Sequence, residues 1–147
     1  MKVTDVLKNG ILFLDGGMGT LLVERGLKVG EQSEEWNMTH PTIVREIHEA
    51  YFAAGANAVS ANTFGVNAYK YDDETLEKLV FSAVDNAKAA REAFCDGAPR
   101  FIALDIGPSG KMLKPFGELD FEIAVENFKK LVRAGVKAGV DLGLVET

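Results

Sequence analysis

Four short apolar runs, each leading into a polar residue and separated by helix-patterned segments, constrain this chain more than anything else in it. The runs cover residues 11–14, 56–60, 101–104 and 141–145. The polar residues that follow them or close them are Asp15, Asn62, Asp105 and Glu146, spaced at intervals of 47, 43 and 41 residues. The first and third runs are continuously hydrophobic, which predicts strands buried on both faces. The second and fourth carry Ala and Gly and are weaker strand formers.

The intervening segments have helical spacing. Residues 41–54 put Ile43, Val44, Ile47, Tyr51 and Ala54 on one stripe, with Pro41 in the first turn and Gly55 at the end. Residues 73–94 do the same with Leu76, Leu79, Val80, Ala83, Val84, Ala87 and Ala90, and residues 120–138 with Ile123, Ala124, Phe128, Leu131, Val132 and Val136 before Gly139. Short helices are predicted at 4–8 and 18–24. Strands that alternate with helices imply parallel units with right-handed crossovers. The pattern is (βα)3β, and the fourth strand arrives at Val145-Glu146-Thr147 with no helix after it. Two architectures fit: an open doubly wound sheet, or half of an eightfold barrel whose usual length is about 250 residues.

At 147 residues the chain suits one domain and can bury roughly two-thirds of its unfolded surface. One cysteine, Cys95, excludes an internal disulfide and a multi-cysteine zinc site within these residues. It is expected to be a small packing residue. Sixteen basic residues against 22 acidic ones give a net charge of −6, which argues against nucleic acid or an anionic membrane as a partner. No apolar stretch approaches the ~20 residues of a membrane span. The start of the sequence lacks the pattern of a secretory signal, so the cytoplasm is the expected compartment.

In parallel α/β folds the chemistry sits at the carboxyl ends of the strands. Asp15, Asn62, Asp105 and Glu146 are therefore expected on one rim. Three carboxylates in one mouth repel each other, so they point to an ammonium ligand, a divalent ion or shared protons. Taken singly, each residue also fits a cap on the next helix or turn. Asp15-Gly16-Gly17-Met18-Gly19-Thr20 is the most specific local feature. It matches neither a dinucleotide fingerprint nor a P-loop. It fits a tight turn, or a backbone approach to a carboxylate or phosphate. Ile106-Gly107-Pro108-Ser109-Gly110 is a second turn-rich loop, followed by Lys111 and Lys114, which are read as solvated. His48 falls at packing spacing on its helix. His40 lies away from the strand ends, and Trp36 is either a cover for the fold or part of a mouth loop.

Taken together, these motifs resemble the homocysteine S-methyltransferase family. The similar stretches are residues 14–20; Trp36-Asn37 with His40-Pro41 and Ile47-His48; Ala54-Gly55-Ala56 with Asn62-Thr63-Phe64-Gly65-Val66-Asn67; Asp105-Ile106-Gly107-Pro108-Ser109-Gly110; and Val145-Glu146-Thr147. Within the family the chain looks most like the homocysteine-binding modules of the cobalamin-dependent members. The resemblance implies an α/β fold that is the N-terminal half, (βα)3β, of a (β/α)8 TIM barrel. Residues 1–147 would form a single incomplete domain with four strands. It implies attack of a homocysteine thiolate on a methyl donor to give methionine, with zinc activating the thiol. The donor is left open among methylcobalamin, a sulfonium compound and a betaine.

By the same resemblance, Asp15 and Glu146 hold the substrate ammonium and the amides near Gly16 and Gly17 hold its carboxylate. Asn62 and Asp105 line or organise the pocket. The zinc ligands would be three cysteines beyond residue 147, matched by none here, so neither a metal ligand nor a catalytic group is assigned within this chain. Open strand edges call for the second barrel half or a second copy. Two rivals remain: a Mg²⁺-dependent enolate enzyme using Asp105 and Glu146, and a non-catalytic half-barrel that binds a ligand or a partner chain.

Overall fold

The structure is a computed structural model that describes residues 2–147. Helix α1 (Val3–Asn9) precedes the first apolar run, and α2 (Met18–Glu24) follows it. A 3₁₀ turn (Ser33–Glu35) leads into α3 (Trp36–Thr39) and α4 (Pro41–Ala53). Then come β1 (Ala58–Ser60), α5 (Asp73–Glu92), β2 (Phe101–Ile106), α6 (Phe121–Ala138) and β3 (Leu142–Val145). The strands form one parallel sheet in the order β1-β2-β3.

The predicted helices form nearly as spaced. Asp72 caps α5 by accepting the Thr75 N–H at 2.8 Å. Gly139 ends α6 at φ +83°, in the left-handed region that glycine enters at little cost. The sheet alternates as its period requires. Val59, Ile102, Leu104 and Ile106 point into the larger core, against Leu76, Leu79, Val80, Ala83 and Val84 of α5 and Leu131 of α6. Gly135 lets α6 lie close on β2: a Cβ there would sit 2.7 Å from Leu104 Cδ2. A smaller core joins Leu22, Trp36, Val44 and Ile47. Trp36 is thus a core residue, with His40 stacked on its ring at 4.0 Å.

The first apolar run departs from expectation. Among the described residues it is not a full strand but a single parallel bridge, Leu14 to Ala58, supported by bonds from Asn57 N–H and Ala58 N–H to Phe13 O. It is not buried on both faces either, since Ile11 and Phe13 are 72% and 58% exposed. Burial on both faces needs a neighbour on each side, and this segment is the outermost of the sheet. Cys95 also departs: it is exposed in the turn that follows α5, rather than packed. Among the described residues no helix is long and apolar enough to cross a membrane.

Candidate functional site

All six residues singled out as a binding set line one open cleft of about 490 Å³ at the carboxyl ends of the strands: Asp15, Gly16, Gly17, Asn62, Asp105 and Glu146. Period-two geometry gathers them. Asp105 pairs in register with Leu144, and Glu146 stands two residues further along that neighbouring strand line. Ser60 pairs with Ala103, which puts Asn62 beside Asp105 in the same way. The face opposite the helices therefore carries Ser60, Asn62, Asp105, Leu144 and Glu146.

The three carboxylates differ. Asp15 accepts the Ser60 N–H at 2.8 Å and the Ser60 hydroxyl at 3.0 Å, which ties the outermost segment to β1. Burial still holds its carboxyl above the ordinary range against those bonds, and Glu146 adds to the rise. Asp105 is 8% exposed, and its Oδ1 has no hydrogen-bond partner among the described residues. Burial first, then the negative fields of Glu146 and Asp15, push Asp105 up to about 7. None of the lining residues is Lys, Arg or His. The cleft is therefore an unbalanced acidic site, suited to a cationic group.

The other predicted residues shape the walls. Asn62 donates its amide hydrogens to Ser33 O at 2.7 Å and Asn37 Oδ1 at 3.1 Å, while its own carbonyl accepts from Asn37 Nδ2 at 2.8 Å. It fastens the Ser33 and Asn37 segments to the end of β1. Gly16 needs its missing side chain for Tyr51, since a Cβ would lie 2.9 Å from the Tyr51 hydroxyl. That hydroxyl donates to Gly17 O at 2.9 Å and holds the glycine turn in place. Lys114 pairs with Asp120 at 2.8 Å and Lys111 lies 4.8 Å over the Tyr69 ring; neither lines the cleft.

Sequence inspection assigned no role to Ser60, Thr63 or Glu34. Ser60 was detectable as the period-two neighbour of Asn62. Thr63 is fully buried: it donates to Asp105 O at 2.8 Å and accepts the Asp105 N–H at 3.1 Å. It thereby fixes the backbone that carries the buried carboxyl. Gly107 matters sterically, because a Cβ there would come within 2.3 Å of Phe64 O, a backbone atom, while Phe64 lines the cleft. Gly107→Ala is expected to cost about 1–3 kcal/mol in urea unfolding by overpacking.

Residues 12–147 match the family model described as Homocysteine S-methyltransferase. The chain belongs to the homocysteine S-methyltransferase family. Among solved structures it is similar to the homocysteine methyltransferase MmuM from Escherichia coli. The metallated form superposes with a TM-score of 0.82 at 24% identity, covering 97% of this chain and 56% of MmuM. The oxidised form gives 0.81 at 24%, covering 96% and 55%. The apo form gives 0.74 at 28%, covering 94% and 50%. The chain thus spans about half the length of MmuM, and its fold is the N-terminal half, (βα)3β, of the (β/α)8 barrel.

Zinc, which the family resemblance implies, does not fit the side chains present. Among the described residues no group of three or more His, Cys, Asp or Glu could hold a metal ion. Cys95 sits in the loop that enters β2 from its amino end, opposite the cleft.

Proposed function

We propose that the cleft binds homocysteine and that this chain is the amino-acid-binding half of a homocysteine S-methyltransferase, which forms methionine in the cytoplasm. The observation that carries this is the trio Asp15, Asp105 and Glu146 in a cleft whose lining holds no cation. An ammonium group satisfies all three at once. In this proposal Asp15 and Glu146 bind the ammonium, with Asp15 prealigned by Ser60. Amides near Gly16 and Gly17 bind the carboxylate, and Leu144 and Phe64 flank the methylene chain. Asn62 and Thr63 fix the walls. The residues here bind and orient the amino acid. Zinc activation of the thiol and the methyl donor, methylcobalamin or another, belong to groups outside this set. The exposed edges at the Leu14 segment and at β3, where Val145 is 78% exposed, are proposed to pair with the second barrel half or with a second copy.

Calorimetric titration of homocysteine into the 147-residue chain tests the assignment. Asp15→Ala and Glu146→Ala are each expected to weaken binding by about 10- to 100-fold, since each loses a charge-assisted hydrogen bond of roughly 1.5–3 kcal/mol. The analogue lacking the amino group is expected not to bind. Unchanged affinity in both variants would sink the site assignment.

A further inference from the structure

One charged group among the described residues is more deeply buried than any in the cleft. Glu34, in the 3₁₀ turn, is 2% exposed. Its Oε1 accepts from Lys70 Nζ at 2.5 Å and from the Tyr71 hydroxyl at 3.0 Å, and its Oε2 accepts from the Ser33 hydroxyl at 3.2 Å. Lys70 also reaches the side-chain oxygen of Gln32. The carboxylate lies flat against Gly65, where a Cβ would be 2.6 Å from Oε1 and 2.8 Å from Oε2. Burial alone would raise the carboxyl, yet the bonds from Lys70 and Tyr71 hold it below the ordinary range, so it is charged at neutral pH.

The segment that carries Glu34 is also a wall of the cleft. Ser33 lines it, and Ser33 O is the acceptor for the Asn62 amide at 2.7 Å. Beyond that bond, the segment is fastened at two further points. At one end Asn37 is bonded to Asn62 and, through its carbonyl, to Asn86 of α5 at 2.9 Å. At the other, Glu34 is bonded to Lys70 and Tyr71. Those two partners are held in turn by a tight turn, in which Asn67 Oδ1 accepts the Tyr69 and Lys70 N–H groups at 3.0 and 3.1 Å. Removal of the Glu34 charge leaves the Ser33 wall held by Asn62 and by the Asn37 end, without its fastening to Lys70 and Tyr71.

We propose that Glu34 and Lys70 form a charged clasp that positions the Ser33–Asn62 wall and thereby sets the affinity of the cleft for its amino-acid ligand. The proposal rests on the homocysteine-binding reading above and deepens it. Glu34 is a positioning residue: it touches Ser33 and not the cleft, so it acts only through geometry. A clasp of this kind follows from the chemistry of a buried carboxylate, which is left as an uncompensated charge when its cationic partner goes.

The test combines homocysteine titration with amide exchange on the ligand-free chain, for Glu34→Gln, Lys70→Gln and the double variant. Glu34→Gln keeps the shape and an acceptor for Tyr71. Lys70→Gln changes the outer, partly exposed partner and spares the fold if the first variant does not. Each single variant is expected to raise the homocysteine Kd about tenfold and to speed exchange at residues 31–37. The double variant is expected to match the singles rather than multiply them, the signature of two groups that act as one. Wild-type affinity and unchanged exchange in a folded Glu34→Gln overturn the clasp and leave the binding reading intact. A lowered unfolding midpoint with wild-type affinity overturns it too, by reducing Glu34 to a structural role. Absence of homocysteine binding in the wild type removes both.

Discussion

Asp105→Asn is expected to remove the loss of roughly 2–3 kcal/mol in stability that this one carboxyl contributes between pH 5 and pH 8. The sign follows from the direction of the shift. The carboxyl ionises near 3.8 when unfolded and near 7 when folded, because burial and the fields of Glu146 and Asp15 disfavour its charge. Its contribution to stability is therefore fully present below about 4 and is lost as pH rises through about 7. The amide cannot ionise, so the variant escapes that loss. The backbone around position 105 is held by Thr63 through main-chain atoms, so the substitution leaves those bonds in place. Urea unfolding of both proteins at pH 5 and pH 8 measures the difference, and parallel slopes would sink the assignment.

A ligand consequence accompanies this. An ammonium group placed among the three carboxylates favours the ionised form of Asp105. Homocysteine binding near pH 7 should then release protons, and affinity should rise with pH through about 7. Calorimetry in buffers of different ionisation enthalpy reads the proton count directly. Asp105→Asn should abolish that release.

How much of this was legible in the sequence depended on whether a residue's neighbours are local. The stripe of α5 and the alternation of Val59 with Ser60 are written in spacing, because a helix or strand presents its faces by arithmetic. The convergence of Asp15, Asn62, Asp105 and Glu146 followed from strand ends alone, and all four line one cleft. What failed was tertiary. The run at 11–14 reads as a doubly buried strand, yet it makes a single bridge at the sheet edge and leaves Ile11 and Phe13 exposed. Asn62 was readable as a rim residue, but not the use of its amide on Ser33 and Asn37. Glu34 stands in an acidic stretch with Glu31 and Glu35, and nothing local says that it is the one buried against Lys70 and Tyr71. Gly16 lines the cleft, and the room its missing side chain leaves for Tyr51 could not be read from the local sequence.

His48 carries the opposite pH dependence, and its removal should be visible at acid pH. The ring is fully buried on α4, along with Val44, Ile47 and Phe52, and neither ring nitrogen has a partner among the described residues. Burial pushes the imidazole down to about 4 from its ordinary 6.5. The unfolded chain therefore binds the extra proton first. The stability tied to the neutral ring is fully present above about 6.5 and is lost as pH falls through about 4. Between pH 7 and pH 5 the wild type should lose about 2 kcal/mol from this residue. His48→Leu should abolish that loss. At pH 7 it should change stability little or raise it, because two unpaired buried nitrogens are exchanged for apolar packing. Over the same interval Asp105 gains roughly what His48 loses. The wild-type stability should therefore look nearly flat between pH 5 and pH 7, although both groups titrate. Each single variant unmasks the other: Asp105→Asn should fall toward acid, and His48→Leu should fall toward neutrality. Flat profiles in both variants would mean that neither burial acts as described. The double variant should be flat again, for the reason that neither proton is left to move.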